Sequence, residues 1–347
     1  MPTWGEILKA LQTAAATNPH QVPPLDEYRR QSLRSLSLLT GRPAIAYFTR
    51  WLQGPGTGNS GGDMMVTHED MIGFMEAVHG LPGPSLDLIL HSSGGLPTAA
   101  EALINYLRTK FDDIRVIVPV AAMSAGTMMA CGANRLVLGK HSYLGPTDPQ
   151  MLLQTPLGMQ VVPAFAILEQ FEMAKKQANA ASFAAWIPML QQYGPGLLKQ
   201  CEMAVELSEQ LVAQWLQQYM FTGSNTAVQD AQRIAKELAD HRTHKAHGRF
   251  LTRNKVRAMG LIVEDLELSQ PFQDAVLTVL HTFMHTFSIA LHVNKIVENS
   301  LGKSWIKMSV QSVVTPQPSP HAGPQPPTAP PPSPPVVSPS EGPSDKN

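Results

Sequence analysis

The chain is short of several things at once, and each shortage closes off a class of protein. Two cysteines in 347 residues, Cys131 and Cys201, cannot build a disulfide framework. They suit a reducing compartment. Charged residues make up 15% of the chain, where about 25% is usual, and the formal net charge is −1. No basic field exists to hold nucleic acid. The N-terminus, MPTWGEILKALQ, lacks the basic and then apolar regions of a secretory leader. No apolar run matches the ~20 residues of a lipid-spanning helix; the longest, Ala275 to Val293, is interrupted by His281, His285, Ser288 and His292. These absences indicate a soluble, cytoplasmic protein with no transmembrane segment, and leave room for no more than peripheral membrane association. The Gly-rich stretch QGPGTGNSGGD (53–63) lacks the GK[ST] ending of a phosphate-binding loop. It reads as a surface loop, with a lid over a substrate groove as the functional alternative.

What is present is a hydrophobic fraction of 43%, enough for a real core. Residues 1–40 read as an N-terminal extension, with Trp4, Ile7, Leu8 and Leu11 on one helical face followed by a polar segment. AIAYFTRW (44–51) reads as a strand and His68 to Val78 as a helix. HSYLGPTDPQ (141–150) is rich in turn residues. A helical region runs from about Pro163 to Ala239, broken at Tyr193-Gly194-Pro195. A short helix begins near Thr252 and ends at Gly260, a residue suited to a left-handed C′ position. Pro271 opens a last long helix, expected to reach about Glu298, and Ser304 to Val310 reads as a final strand. From Thr315 to the end the composition changes: thirteen of the thirty prolines lie there, with few large apolar residues. Such a segment buries too little surface to offset its ordering entropy, so 315–347 reads as a disordered Pro/Ser-rich tail. Its spacings suit a proline-recognising partner; a solubilising role is the plainer alternative.

The chemistry concentrates in residues 86–139. LDLILHSSGGLPTAAEALINYLRTKF and IRVIVPVAAMSAGTMMACGA read as two strand–helix units. They set a Gly-Gly turn (Gly94, Gly95) and a serine (Ser124) at the same ends of neighbouring strands. Acyl transfer needs that pairing, a hydroxyl to attack and backbone N–H groups to hold the oxyanion. The N–H of Ala125 and that of Gly95 or Gly94 are the candidate donors. Serine is also a preferred helix N-cap, and local spacing leaves cap and nucleophile equally open. Ser92 and Ser93 are either turn residues or rival nucleophiles.

His91-Ser92-Ser93-Gly94-Gly95, Met123-Ser124-Ala125-Gly126, Leu144-Gly145-Pro146-Thr147-Asp148-Pro149-Gln150, and the run Gly248-Arg249, Thr252, Ala258, Gly260-Leu261-Ile262-Val263 occur in this order. Together they resemble the Clp-protease/crotonase superfold, and within it the serine dehydrogenase proteinase family, relatives of signal peptide peptidase A. The resemblance covers roughly residues 40 to 310. It implies an α/β core of repeated ββα units with C-terminal helices, in a peptidase domain over 41–314. It also implies a cofactor-free serine endopeptidase that acts on peptides or proteins and assembles into homo-oligomers. Ser124 becomes the nucleophile, with Gly94 or Gly95 and Ala125 as oxyanion donors.

The general base is less determined. The Clp pattern brings Pro146, not a histidine, near the place of its base. The signal peptide peptidase pattern calls for a lysine, at a gap that Lys175 and Lys176 roughly match. In PAFAILEQFEMAKKQ the stripe Ala164, Ile167, Leu168, Phe171 continues to Lys175, with Lys176 about 100° away. Lys175 is therefore the expected base, partly desolvated on an apolar face; a lysine snorkelling to solvent is the equal alternative. Lys140, His141 and Asp148 are further candidates for a base or an orienting group. Two histidine series, His241/His244/His247 and His281/His285/His292, match no zinc spacing and read as solvated or partner-facing stripes rather than metal ligands. Two rival functions remain: an acyl-CoA hydratase or isomerase on the same superfold, disfavoured because no Glu falls beside the Gly-Gly or Ser124 turns, and a catalytically inactive scaffold.

Overall fold

A computed structural model of the chain describes residues 3–17, 23–54, 61–156, 158–177, 179 and 182–309. The expected Pro-rich tail and residues 55–60 of the Gly-rich loop lie outside them. The first half runs α1 (Trp4–Thr17), α2 (Leu25–Thr40), β1 (Ala44–Thr49), α3 (Asp70–Val78), β2 (Ser85–His91), α4 (Pro97–Arg108), β3 (Asp113–Val118), β4 (Ala121–Ala122), α5 (Ala125–Cys131), β5 (Arg135–Leu138) and β6 (Tyr143–Leu144). Next come β7 (Gln150–Thr155), β8 (Gly158–Pro163), α6 (Ala164–Gln177), α7 (Phe183–Leu190), α8 (Leu197–Trp215), α9 (Ala227–Ala239) and α10 (His241–His244). The chain then forms β9 (Leu251–Thr252), α11 (Arg253–Met259), β10 (Val263–Asp265), α12 (Gln270–Ile289), β11 (Val293–Asn299) and β12 (Ser304–Met308).

Short, nearly continuous apolar runs make strands buried on both faces, the signature of a parallel sheet covered by helices. The main sheet has the order β10-β5-β3-β2-β1-β11-β12. Its first five strands are parallel, and β11 and β12 close it antiparallel. Strand periodicity sorts the side chains of β2. Leu86, Leu88 and Leu90 join the core shared with α3, α4, α5, α8 and α9, while Ile89 joins the opposite core under α2 and α12. A second, small sheet, β4-β6-β9, lies beyond the carboxyl end of the main one. The Ser92 N–H donates to the Ala121 carbonyl and the Met123 N–H to that of Ser92, which ties the two sheets together. This is the mixed α/β, ClpP-like architecture that the motifs imply.

Two local expectations are corrected, and one unassigned stretch is filled. Residues 25–40 are a helix rather than a polar connection, because Arg29, Ser32, Leu33 and Leu36 bury one face against α12 and the sheet. The last helix stops at Ile289, and 293–299 is a fully buried strand; five paired positions along β1 outweigh its helical look. Residues 150–163 form a hairpin of their own, ahead of the helical region. Elsewhere the cues act as expected. Thr252 caps α11 by accepting the Lys255 N–H, and Gly260 ends that helix at φ 107°.

Candidate active site

The turn from β4 into α5 is tight, and Ser124 occupies it at φ 51°, ψ −118°. Among the described residues only Ser124 and Lys245 are non-glycine residues with positive φ. Such a conformation costs an L-residue about 1–3 kcal/mol and persists only where its surroundings enforce it. Ser124 does not behave as a cap: its hydroxyl makes no hydrogen bond to the first turn of α5, nor to any other described residue. The surroundings press in from two sides. Thr127 Oγ1 donates to the Ala122 carbonyl at 2.8 Å and accepts the Gly145 N–H at 2.9 Å. A Cβ on Gly145 would lie 2.6 Å from Met123 Cε.

The Gly-Gly turn closes over the serine. A Cβ on Gly94 would meet Ser124 Cβ and the Met123 carbonyl oxygen at 2.6 Å and the Ala125 nitrogen at 3.0 Å. Only glycine lets the two turns come this close. Gly94 spends its N–H on Ser92 Oγ at 3.1 Å. The N–H groups of Gly95 and Ala125, by contrast, have no acceptor among the described residues. Two unpaired donors thus flank a free hydroxyl, the arrangement that oxyanion stabilisation requires. Ser92 is buried and committed to this turn.

The small sheet carries a carboxylate to the same end. β6 runs parallel to β4, so Asp148 follows β6 as Ser124 follows β4. β9 runs antiparallel to β6, with Tyr143 opposite Thr252 and Leu144 opposite Leu251. Carried on by four residues, that register faces Asp148 with His247. His247 Nδ1 does sit 2.7 Å from Asp148 Oδ1. His241 Nδ1 takes the other oxygen at 2.9 Å, where Gln150 Nε2 also donates. A carboxylate can only accept, so both Nδ1 atoms carry hydrogen, and in a neutral ring this tautomer leaves Nε2 as an acceptor. The Asp148 side chain is 2% exposed, and those of His241 and His247 are 19% and 31%. The third member of the series, His244, turns away to the Glu237 carbonyl. Sequence spacing marked these histidines as a stripe; what it lacked was the register that gives two of them one carboxylate.

The other candidates lie apart. Lys175 is 56% exposed and pairs with Glu172 at 2.8 Å. The buried face of α6 passes through Ala164, Ile167 and Ala174 instead, and Lys176 is exposed as well. The start of α6 touches the site region, where the Ala164 N–H donates to the Pro149 carbonyl, but Lys175 is about 16 Å further along the axis. Lys140 and His141 are exposed and precede β6, at the end opposite Asp148. Behind the Gly-Gly turn, His91 is fully buried against Phe48 and Trp51. Burial holds its pKa down to about 3; neither ring nitrogen has a well-formed partner, and the nearby Ala121 backbone offsets little of the penalty. Cys131 is buried in α5 with its thiol pushed up to about 12, too high for a reactive thiolate. No group of three or more metal-ligating side chains is disposed around a common point among the described residues. Nor is any helix among them long and apolar enough to cross a membrane.

A serine turn and a glycine turn at the carboxyl ends of a parallel sheet define a ClpP-like α/β protein. The model of the ClpP-like SDH-type serine proteinases matches residues 64–271, well over half the chain, and the chain belongs to that family. It is also similar to two uncharacterized proteins of Methanocaldococcus jannaschii. MJ0137 is 38% identical over 87 residues, 25% of this chain and 30% of that protein. MJ1495 is 34% identical over 107 residues, 30% of this chain and 34% of that protein. The chain thus matches about a third of each relative's length.

Proposed function

We propose that this member of the family hydrolyses peptide bonds with Ser124 as nucleophile, the His247–Asp148 pair as base, and the N–H groups of Gly95 and Ala125 as oxyanion hole. Ser124 Oγ attacks the scissile carbonyl carbon and its proton passes to His247 Nε2. Asp148 holds the ring through Nδ1–H and stabilises the imidazolium. The proton then goes to the leaving amine, and water, activated by the same ring, releases the acyl group from Ser124. A hydrogen bond from Ser124 Oγ to His247 Nε2, not made in the free protein, is expected to form when substrate docks, since catalytic hydrogen bonds commonly tighten only in the complex. No cofactor enters the scheme. His241, on the second carboxylate oxygen, holds Asp148 in place and is the reserve base. A histidine replaces the lysine expected from sequence because Lys175 is solvated and already paired with Glu172.

The observation that carries this is Ser124 itself, strained, uncapped and flanked by two unpaired N–H groups. Leu152, Met159 and Val161 lie exposed on the hairpin that follows Asp148, which supports self-association. The test is fluorophosphonate labelling with peptide mapping. One adduct on Ser124, absent from Ser124→Ala and strongly slowed in His247→Ala, is expected. Undiminished labelling of Ser124→Ala would remove the assignment.

A further inference from the structure

Far from the serine in sequence, β11 carries a buried lysine. Lys295 is 1% exposed and Asp70, at the start of α3, is fully buried. Burying such a pair is expensive, and apolar residues of the same volume often serve stability as well or better. The hydrogen bonds show where this pair is aimed. Lys295 Nζ reaches Asp70 Oδ1 at 2.6 Å, the Met65 carbonyl at 2.7 Å and Thr67 Oγ1 at 3.3 Å. Asp70 Oδ2 accepts the Thr67 N–H at 2.9 Å and the Tyr47 hydroxyl at 2.7 Å. Every donor of the ammonium, and one carboxylate bond besides, therefore acts on the three-residue strap Met65-Val66-Thr67 or on the aspartate that holds it.

The middle residue of that strap grips the glycine turn. The Val66 N–H donates to the Gly94 carbonyl at 2.8 Å and its carbonyl accepts the Leu96 N–H at 2.9 Å. Between those bonds Gly95 lies flat on the Val66 backbone, where a Cβ would come within 2.3–2.8 Å of it. A residue bridged in this way turns its own N–H to the far side, which is why that of Gly95 is free. A donor whose worth depends on direction needs a fixed peptide plane, and the clamp supplies one.

We propose that Lys295 and Asp70 are positioning residues of the peptidase: through the Met65–Thr67 strap they fix the Gly95 peptide that donates to the oxyanion. The proposal rests on the assignment of Ser124 as nucleophile. Its test is the rate of fluorophosphonate labelling of Ser124 in the full chain and in Lys295→Met/Asp70→Asn, which removes both charges together. Labelling is expected to slow tenfold or more while the circular dichroism spectrum is retained. The pH of half-maximal rate stays unchanged, because the His247–Asp148 pair is untouched. Lys307→Met, which breaks an exposed pair with Glu69 nearby, should label at the unmodified rate. A folded double variant that labels as fast as the parent, or one whose pH profile moves with the rate, overturns the proposal. If the double variant does not fold, Val66→Pro removes the Val66–Gly94 hydrogen bond and sets a ring carbon against the Gly94 carbonyl; slowed labelling in a folded variant supports the clamp and an unchanged rate overturns it. Absence of label on Ser124 in the unmodified protein would instead sink the peptidase assignment.

Discussion

The two ends of the same parallel sheet are finished in opposite ways. At the amino ends of the strands a row of alternating charges is paired. Asp87, fully buried, takes Arg42 and Arg115 at 2.7 Å each. Asp113 takes Arg42 and Arg135, and Glu264 closes the row on Arg135 at 2.9 Å. At the carboxyl ends a hydroxyl and two N–H groups have no partner among the described residues, and a serine is held in a strained turn. Buried polar groups are normally satisfied, so the contrast separates the end that holds the fold from the end that meets a ligand. Open α/β sheets bind their ligands beyond the carboxyl ends of the strands.

The sharpest way to break that contrast is at Asp148. Asp148→Asn keeps the shape but can set either histidine in the wrong tautomer, and should lower kcat/KM by about 10²–10⁴-fold with little change in KM. Next is Gly95→Ala. The added methyl has no space against Val66, so the donor shifts and the rate falls by about 10²–10³-fold in a protein that still folds. At the other end of the sheet, Asp87→Asn should leave labelling of Ser124 unchanged. It should cost about 2–3 kcal/mol by denaturant unfolding, at or below the low end for breaking a buried pair, because both arginines keep a second carboxylate nearby.

His91 gives the contrast a pH dependence. Its native pKa, about 3, lies below the ordinary value, so the unfolded chain binds the extra proton first. The associated stability is complete above about pH 6.5 and is lost as pH falls from there towards 3. His91→Phe should flatten that acid limb in pH-dependent melting, and an unchanged limb would assign it elsewhere. Least affected is Lys175→Ala. With its ammonium in solvent on Glu172, less than about twofold in rate and 0.5 kcal/mol in stability are expected; a large loss of kcat would restore a lysine as the base.

What could be read ahead of the structure follows the range of the forces involved. The strand runs, the glycine turn and the serine at the mouth of α5 are local, and a glycine or a cap reports on its own few residues. The turn that carries Asp148 is local too and marks it as a candidate, but does not name its partners. His247 lies 99 residues away and meets Asp148 only because Leu144 pairs with Leu251, a register no periodicity contains. Lys175 shows the converse error. A stripe extrapolated through Phe171 predicts burial, whereas the neighbours of α6 select the face through Ala174. In 293–299, pairing with β1 overrides a helical pattern for the same reason.

The turn at Ser124 also implies that this chain is not the most durable version of itself. Glycine adopts φ 51° without a Cβ penalty and gives up about 0.5–1 kcal/mol in chain entropy, against about 1–3 kcal/mol of strain released. Ser124→Gly should therefore melt above Ser124→Ala, which keeps the strain. Selection for thermal endurance alone would erase the serine; its presence in that turn measures what the protein gives up to keep a hydroxyl there.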